Sequence, residues 1–473
     1  MSKIFTNLHM HSVFSLGDAI SSTDDIARTA KNLGMTACSI TDHGTLSGWL
    51  QFKDSCRKYG IKPIFGVEAY FVDDVNTIHA INDKINSLKE EMKPFQKSKF
   101  KKDKKELEKY QKQLVELEEE RNQLRKYNHL ILLAKNAQGR DNIIRIHNDA
   151  ILDGIYYKPR IDWSVLEKHK GGIIATTACL GGRISKLLEK NNIEGAKKAV
   201  ARFKKIFGED NFFLELQLNE IELQKEINEK LIKLSEATNT QLVVTCDSHF
   251  FEEGQEKTRA LIRQLDKEPD EIVNDDALVD LYIKNEDMLL EAWRKYMSEY
   301  PAEILARAIN NTRQIANMVE DFPFDTSLKF PHFQTPDNLS QEDYLKQKAL
   351  EGLVNKGLQN NPKYLERLKM EFETITILGF ASYFNVVADL INFAKKSQPV
   401  GPARGSAGGS LLAYLIGISE VDPIKFELFF ERFLESSRGV IAPTFGLELN
   451  GINLDFEKIN MHTDGNCVCH KHH

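Results

Sequence analysis

The chain has 473 residues, 41% hydrophobic and 28% charged, which suits a soluble globular protein of two or three domains with sizeable cores. A formal net charge of -6 argues against a generally basic, sequence-blind nucleic-acid binder while leaving room for a local basic groove. Six cysteines scattered at 38, 56, 179, 246, 467 and 469 make no disulfide framework, and no leader-type or membrane-length apolar run is present, so a cytoplasmic protein without membrane contact is expected.

Residues 1 to about 80 alternate short apolar runs with helical patterns. Ala37 to His43 and Ile64 to Val72 read as buried strands, each ending in polar residues. Ser22-Thr23-Asp24-Asp25 opens a helix with capping chemistry. Strands alternating with helices imply a parallel α/β sheet or barrel. The rhythm returns at His129 to Leu133, Gly172 to Thr176, Phe212 to Leu216 and Leu242 to Cys246.

Between these halves, roughly 78–126, lies a segment dense in Lys and Glu. Ile81, Ile85, Leu88, Met92 and Phe95 keep heptad spacing; after a break around Pro94 to Lys101, so do Leu107, Tyr110, Leu114, Leu117 and Leu124. Two such runs predict an antiparallel helical hairpin. Its plain reading is a solvated insertion; the alternative is a docking arm for a partner protein or DNA. Residues 256–335 read as a charged helical linker, closed by Phe322-Pro323-Phe324 and Lys329 to Phe333. A last α/β region follows from about 340.

The candidate chemistry sits at strand ends. His9 and His11, two apart on an extended segment, point the same way and can face one ion. Asp18 follows, then Thr41-Asp42-His43-Gly44 directly after a strand. Glu68 closes another strand, and Asp247-Ser248-His249 another. In α/β barrels polar groups at strand C-termini gather at one mouth, which His129, entering a strand, and Cys179, leaving one, can join. Each alone also fits a plain role: a core thiol, a core histidine, a turn aspartate. Recurrence at strand ends favours the joint reading. Nitrogen and oxygen donors with one sulfur suit Zn²⁺, Mn²⁺ or Fe ions, and paired ions suit phosphate-ester hydrolysis.

Asn7 to Ser12, Ser39 to Gly44 and Gly60 to Tyr70 resemble the PHP (polymerase and histidinol phosphatase) domain. More narrowly they resemble the PHP domain that opens the alpha subunit of bacterial C-family replicative DNA polymerases. The likeness continues through His129 to Asn136, Tyr157 to Asp162, Ile174 to Gly182 and Asp247 to Phe250. It implies a PHP-type distorted (βα) barrel over 1–255 with the hairpin inserted. It also implies a metal-ligand set of His9, His11, Asp18, His43, Glu68, His129, Cys179, Asp247 and His249. In family members that keep the set, the domain is a 3′–5′ exonuclease.

Tyr383 to Leu390, Gly401 to Ser410, Val421 to Ile424 and Phe430 to Leu434 resemble the start of the C-family palm, here 336–438. Small residues before a helix let backbone amides approach an anion. By resemblance Arg404, Gly405 and Ser406 contact the phosphates of an incoming dNTP beside primer–template DNA. The match fails after Arg438. The family's catalytic aspartate motif has only an echo in Ile452-Asn453-Leu454-Asp455-Phe456, where Asn stands for one Mg²⁺ ligand. A truncated polymerase with an incomplete site is therefore expected, with 439–473 a disordered, non-native tail and a separately encoded C-terminal part as a possible partner. Two other readings stay open: a free-standing phosphoesterase on a small ester, and a non-catalytic fragment that assembles with a separate palm.

Overall fold

The computed structural model describes residues 5–96, 100–124, 126–265, 279–325, 329, 331–434, 448–449 and 452–453. The chain divides into two compact units, Met1–Phe324 and Asp325–His473. Among the described residues no single helix is long and apolar enough to cross a membrane.

The first unit is built on strands β1 (Ala37–Ile40), β2 (Lys62–Phe71), β3 (Asn128–Ala134), β4 (Ile155–Tyr156), β5 (Lys158–Ile161), β6 (Ile173–Thr176), β7 (Phe212–Gln217) and β8 (Leu242–Thr245). They pair in the order β4-β5-β2-β3-β6-β7-β8, with β1 also on β2. The extended segment 7–11 bridges the gap between β1 and β8. Ser39 N donates to Asn7 O and Thr41 N to Met10 O on one side; Ser248 N donates to His9 O and His11 N to Ser248 O on the other. The sheet thereby curls into a closed barrel.

The parallel arrangement expected from the βα rhythm holds for β1·β2, β6·β7 and β7·β8 but not for β3, which runs antiparallel to both β2 and β6. Tyr70 near the end of β2 therefore faces His129 near the start of β3. A residue entering β3 stands at the same mouth as residues leaving the other strands. The small β4–β5 hairpin, not foreseen from the sequence, pairs with the end of β2.

Alternate residues of each strand share one face. Ala37, Ile64, Ile131, Leu133, Ile174, Phe213 and Val243 form one buried cluster, which Ile315, Ala316 and Val319 join. These last come from, or directly follow, the helix Ala302–Met318. It is tied to the barrel by Asn311 Nδ2 donating to Leu242 O at 2.8 Å and Lys62 Nζ donating to Ala316 O at 2.9 Å. The stretch expected as a linker thus divides: up to Phe324 it belongs to the first unit, and this helix closes the barrel floor. Its apolar stripe of Ile304, Leu305, Ala308, Ile309, Ile315 and Ala316 at helical spacing is the physical reason.

The hairpin forms as expected, from helices Asn76–Gln96 and Lys101–Gln123. Phe95 packs against Tyr110 with the rings tilted, and Lys89 pairs with Glu118, which fixes an antiparallel register. Pro94 lies within the last turn of the first helix rather than in the break.

In the second unit the described residues 331–434 are helical, not α/β as expected. Helices Gln341–Asn355, Pro362–Ile377, Ala381–Ala394 and Leu411–Leu415 enclose Leu345, Leu353, Ile375, Phe384, Leu412 and Phe430. The helix Ala381–Ala394, which holds the palm-like apolar run Tyr383 to Leu390, buries Ala381, Phe384 and Asn385 at helical spacing. Of the expected tail, only Glu448–Leu449 and Ile452–Asn453 are described, as a short antiparallel pair. Asp455 lies outside the described residues.

Candidate metal centre

On the barrel's inner face, side chains change from apolar at the floor to polar at the mouth. β7 presents Phe213, then Glu215 and Gln217; β6 presents Ile174, then Thr176; β8 presents Val243 and Thr245, then Asp247 beyond it. The polar ends converge, and all the candidate ligands named from the sequence meet there.

His9 Nε2 lies 3.1 Å from His11 Nε2, 3.1 Å from Asp247 Oδ1 and 3.4 Å from Glu68 Oε1. Glu68 is the hub. Its Oε1 is 2.8 Å from His129 Nδ1 and 3.7 Å from Cys179 Sγ, and its Oε2 is 2.6 Å from His43 Nδ1. Asp18 Oδ2 stands 3.2 Å from His43 Nε2 and 3.3 Å from His249 Nε2. Three sets of donors, His9–His11–Asp247, His11–His43–His249 and His43–Glu68–His129, each lie within 4.8 Å of one another.

Local backbone aims these groups. Asp247 has φ 47° and Ala178, just before Cys179, has φ 57°. Such left-handed conformations in non-glycine residues cost of order 1–3 kcal/mol and persist only where the surroundings impose them. Gly44, after His43, has φ +58°, and a Cβ there would sit 2.7 Å from the Tyr70 ring, so glycine is required. Buried Asp42 organises the loop from His11 to Asp18, accepting from Ser12 N at 2.6 Å, Ser12 Oγ at 2.8 Å and Ser15 Oγ at 2.7 Å.

The electrostatics are those of a site built for cations. Burial opposes a charged His43, yet Glu68 and Asp18 beside it hold its imidazole up at about 10. Burial likewise opposes ionised Glu68, but His129, His43 and His9 keep it well below the usual carboxylate range. Asp247 is depressed by His9 and His249 against its burial, and Asp18 by His249, His43 and Arg259. Burial, with His43 and His249 adjacent, pushes His11 well down, which leaves it a neutral ligand. Burial, with Glu68 and Asp247 nearby, pushes the Cys179 thiol well up; a bound cation reverses that sign.

His43 Nδ1, Glu68 Oε2 and Asp247 Oδ1 are buried and face only other candidate ligands, in close ion-pair approaches that lack hydrogen-bond geometry. Buried nitrogen and oxygen ligand atoms turned on one another with poor hydrogen-bond geometry fit shared cations. Imidazole and carboxylate donors with one sulfur match divalent transition metals.

Residues 7–219 match the family model of the PHP domain, and residues 343–450 match that of the bacterial DNA polymerase III alpha NTPase domain. The DNA polymerase III subunit alpha of Aquifex aeolicus is 37% identical over 454 residues, covering 93% of this chain and 35% of the relative. That of Borreliella burgdorferi is 34% identical, covering 94% and 35%. The chain belongs to the DNA polymerase III alpha-subunit family. It spans about a third of the length of these curated relatives. Among solved structures, an amidohydrolase from Chromobacterium violaceum aligns over 53% of this chain and 88% of its own, with 12% identity and a TM-score of 0.30. The family models and the curated relatives establish a polymerase-family chain with a PHP domain, and the mouth offers it a candidate site for divalent metals.

Within this alpha-family chain, three functional side chains escaped the sequence reading. Asp42 lay in a quoted motif but had no role. Glu215 Oε1 lies 2.7 Å from His9 Nδ1, and the residue shares the inner-face parity of Phe213, a signal that alternation could have given. Arg259 donates to Asp18 O at 2.9 Å and to Asp18 Oδ1 at 2.6 Å from the helix Glu256–Gln264, whose charged sequence looks like any solvated face.

The palm-like loop is different. Arg404, Gly405 and Ser406 are exposed, and Gly405 has φ +57°. The following helix does not offer its N-terminus to an anion: Leu411 N and Leu412 N both donate to buried Glu371 at 2.9 Å, and Ser410 Oγ donates to it at 2.8 Å. The expectation that this helix end favours phosphate is corrected, because an internal carboxylate already occupies it. Asp455 also lies beyond residue 450, where the family match ends.

Proposed function

We propose that the barrel mouth is a metal-dependent 3′–5′ exonuclease site that trims the end of a DNA strand. The observation that carries this is the convergence of the full ligand set at one buried mouth, where three groups of donor atoms each lie within 4.8 Å of one another. The reading extends the PHP resemblance residue by residue. His9, His11, Glu68 and Asp247 hold the core ions, with Asp18, His43, His129, Cys179 and His249 completing the shell. Zn²⁺, Mn²⁺ or Fe ions suit these donors.

Bound there, such ions supply Lewis acidity toward water and phosphate oxygens. The chain's own residues do the rest. Glu68 draws four histidines and Cys179 around one carboxylate, so the shell is assembled before substrate arrives. Arg259 holds Asp18 by two hydrogen bonds and leaves Asp18 Oδ2 facing His43 and His249.

DNA primer–template is the proposed substrate. For the second unit, Arg404, Gly405 and Ser406 are proposed as contacts to dNTP phosphates, in Mg²⁺-dependent synthesis that needs aspartates beyond those described.

The test is digestion of a 3′-mismatched primer–template with Mn²⁺ or Zn²⁺, beside His9→Ala, with dNTPs in a parallel lane. Shortening by the wild type that vanishes in the variant is expected. An unshortened primer overturns the exonuclease reading, and release of phosphate from small esters with DNA left intact redirects it to a small substrate.

A further inference from the structure

We infer that Glu215 is a positioning residue of the metal centre, fixing His9 as the tautomer with its proton on Nδ1 so that the Nε2 lone pair faces the ions. This rests on reading the mouth as a metal centre and adds a residue outside the ligand set.

Glu215 lies on the inner face of β7 and is 1% exposed. Its Oε1 stands 2.7 Å from His9 Nδ1, on the side of the ring away from the cluster. The opposite nitrogen, Nε2, is the one that meets His11, Glu68 and Asp247. Glu215 therefore reaches the cluster through the His9 ring.

The rest of its surroundings decide which partner holds the proton. Oε1 also accepts from Thr245 Oγ1 at 2.6 Å and Gln217 Nε2 at 3.0 Å, and Oε2 accepts from Thr176 Oγ1. Thr176 Oγ1 is itself an acceptor for Ala178 N at 3.4 Å, so its own proton is free to go to Glu215. Donors from β6, β7 and β8 thus surround a carboxylate that has only lone pairs to offer when ionised. In that setting the proton between Glu215 and His9 sits on Nδ1. Thr177 Oγ1 accepts from Glu215 N at 2.9 Å and pins the backbone as well. A histidine ligand held through its second nitrogen by a carboxylate gains fixed orientation and basicity, and losing such a partner weakens metal affinity about 10–100-fold.

Glu215→Gln keeps the shape but places an amide NH₂ where it can donate to Nδ1. That favours the His9 tautomer with a proton on Nε2, the wrong one for binding. Titration of Zn²⁺ and Mn²⁺ into the metal-depleted full chain should show the tightest ion bound about 10–100-fold more weakly by E215Q. Long-range ¹H–¹⁵N spectra of the Zn²⁺-loaded wild type, with His9 assigned by its loss in His9→Ala, should place a hydrogen-bonded proton on Nδ1. Wild-type affinity in E215Q, or an Nε2-bound proton on His9 of the loaded wild type, would overturn the inference. If E215Q does not fold, the wild-type spectrum decides alone. A wild type that binds neither ion would overturn the metal-centre reading itself, and this inference with it.

Discussion

Two regions carried sequence motifs with a family resemblance, and the fold treats them in opposite ways. At the barrel mouth of the first unit, side chains from the N-terminal segment, six strand ends and a flanking helix meet, mostly buried, with their nitrogen and oxygen atoms turned on one another. At the glycine-rich loop of the second unit, Arg404, Gly405 and Ser406 stand in solvent, and the adjoining helix end is filled by Glu371. Closure of a barrel brings distant residues together by topology. A loop before a helix gathers only its own neighbours, and its amides serve whichever anion the chain supplies first. Preorganisation is the difference.

The comparison sharpens first at the hub. Glu68→Gln should reduce metal content and DNA trimming to the level of a chelator-treated control, since one carboxylate touches five other candidate ligands; metal analysis and primer digestion measure both. In the second unit the parallel substitution is Glu371→Ala, which strips a buried carboxylate from two amides, Ser410 and Arg367. It should cost about 3 kcal/mol in denaturant unfolding of that unit and leave metal content intact.

A pH effect tests the mouth directly. The His43 imidazole, held at about 10 in the metal-free protein, contributes stability fully present below its ordinary value near 6.5 and lost as pH rises through 10. A bound cation needs the neutral imidazole, so metal binding releases that proton. The rise in melting temperature on adding Zn²⁺ should therefore grow from pH 6.5 upward; a shift that shrinks over this range would contradict the assignment.

Smaller effects mark the edges. Gly44→Ala should destabilise by about 1–2 kcal/mol from its left-handed backbone, and more if the Tyr70 ring does not yield. Arg404→Ala, at an exposed loop, should stay within about 0.5 kcal/mol of wild type in urea and keep its metal.

What was legible followed the same division. His9 and His11, His43, Asp247 and His249 are adjacent in sequence to apolar runs, so strand ends could be read directly. His129 was readable as a residue entering a strand, but the reversed direction of β3 that places it at the mouth was not, because alternation carries no polarity. Glu215 sat among apolar neighbours as an ordinary half-buried strand residue, and its role depends on Thr176 and Thr245 from other strands. The helix Ala302–Met318 had a readable apolar stripe, yet which surface it covers is a tertiary fact. The palm-like segment kept its sequence likeness while folding here as helices, with Asp455 outside the described residues.

Anomalous scattering from crystals of the full chain soaked in Zn²⁺ or Mn²⁺ tests the metal centre most directly. Peaks between His9, His11 and Asp247 and between His43, Glu68 and His129 are the predicted result. Ordered ions elsewhere, with the barrel mouth empty at saturating metal, would contradict it.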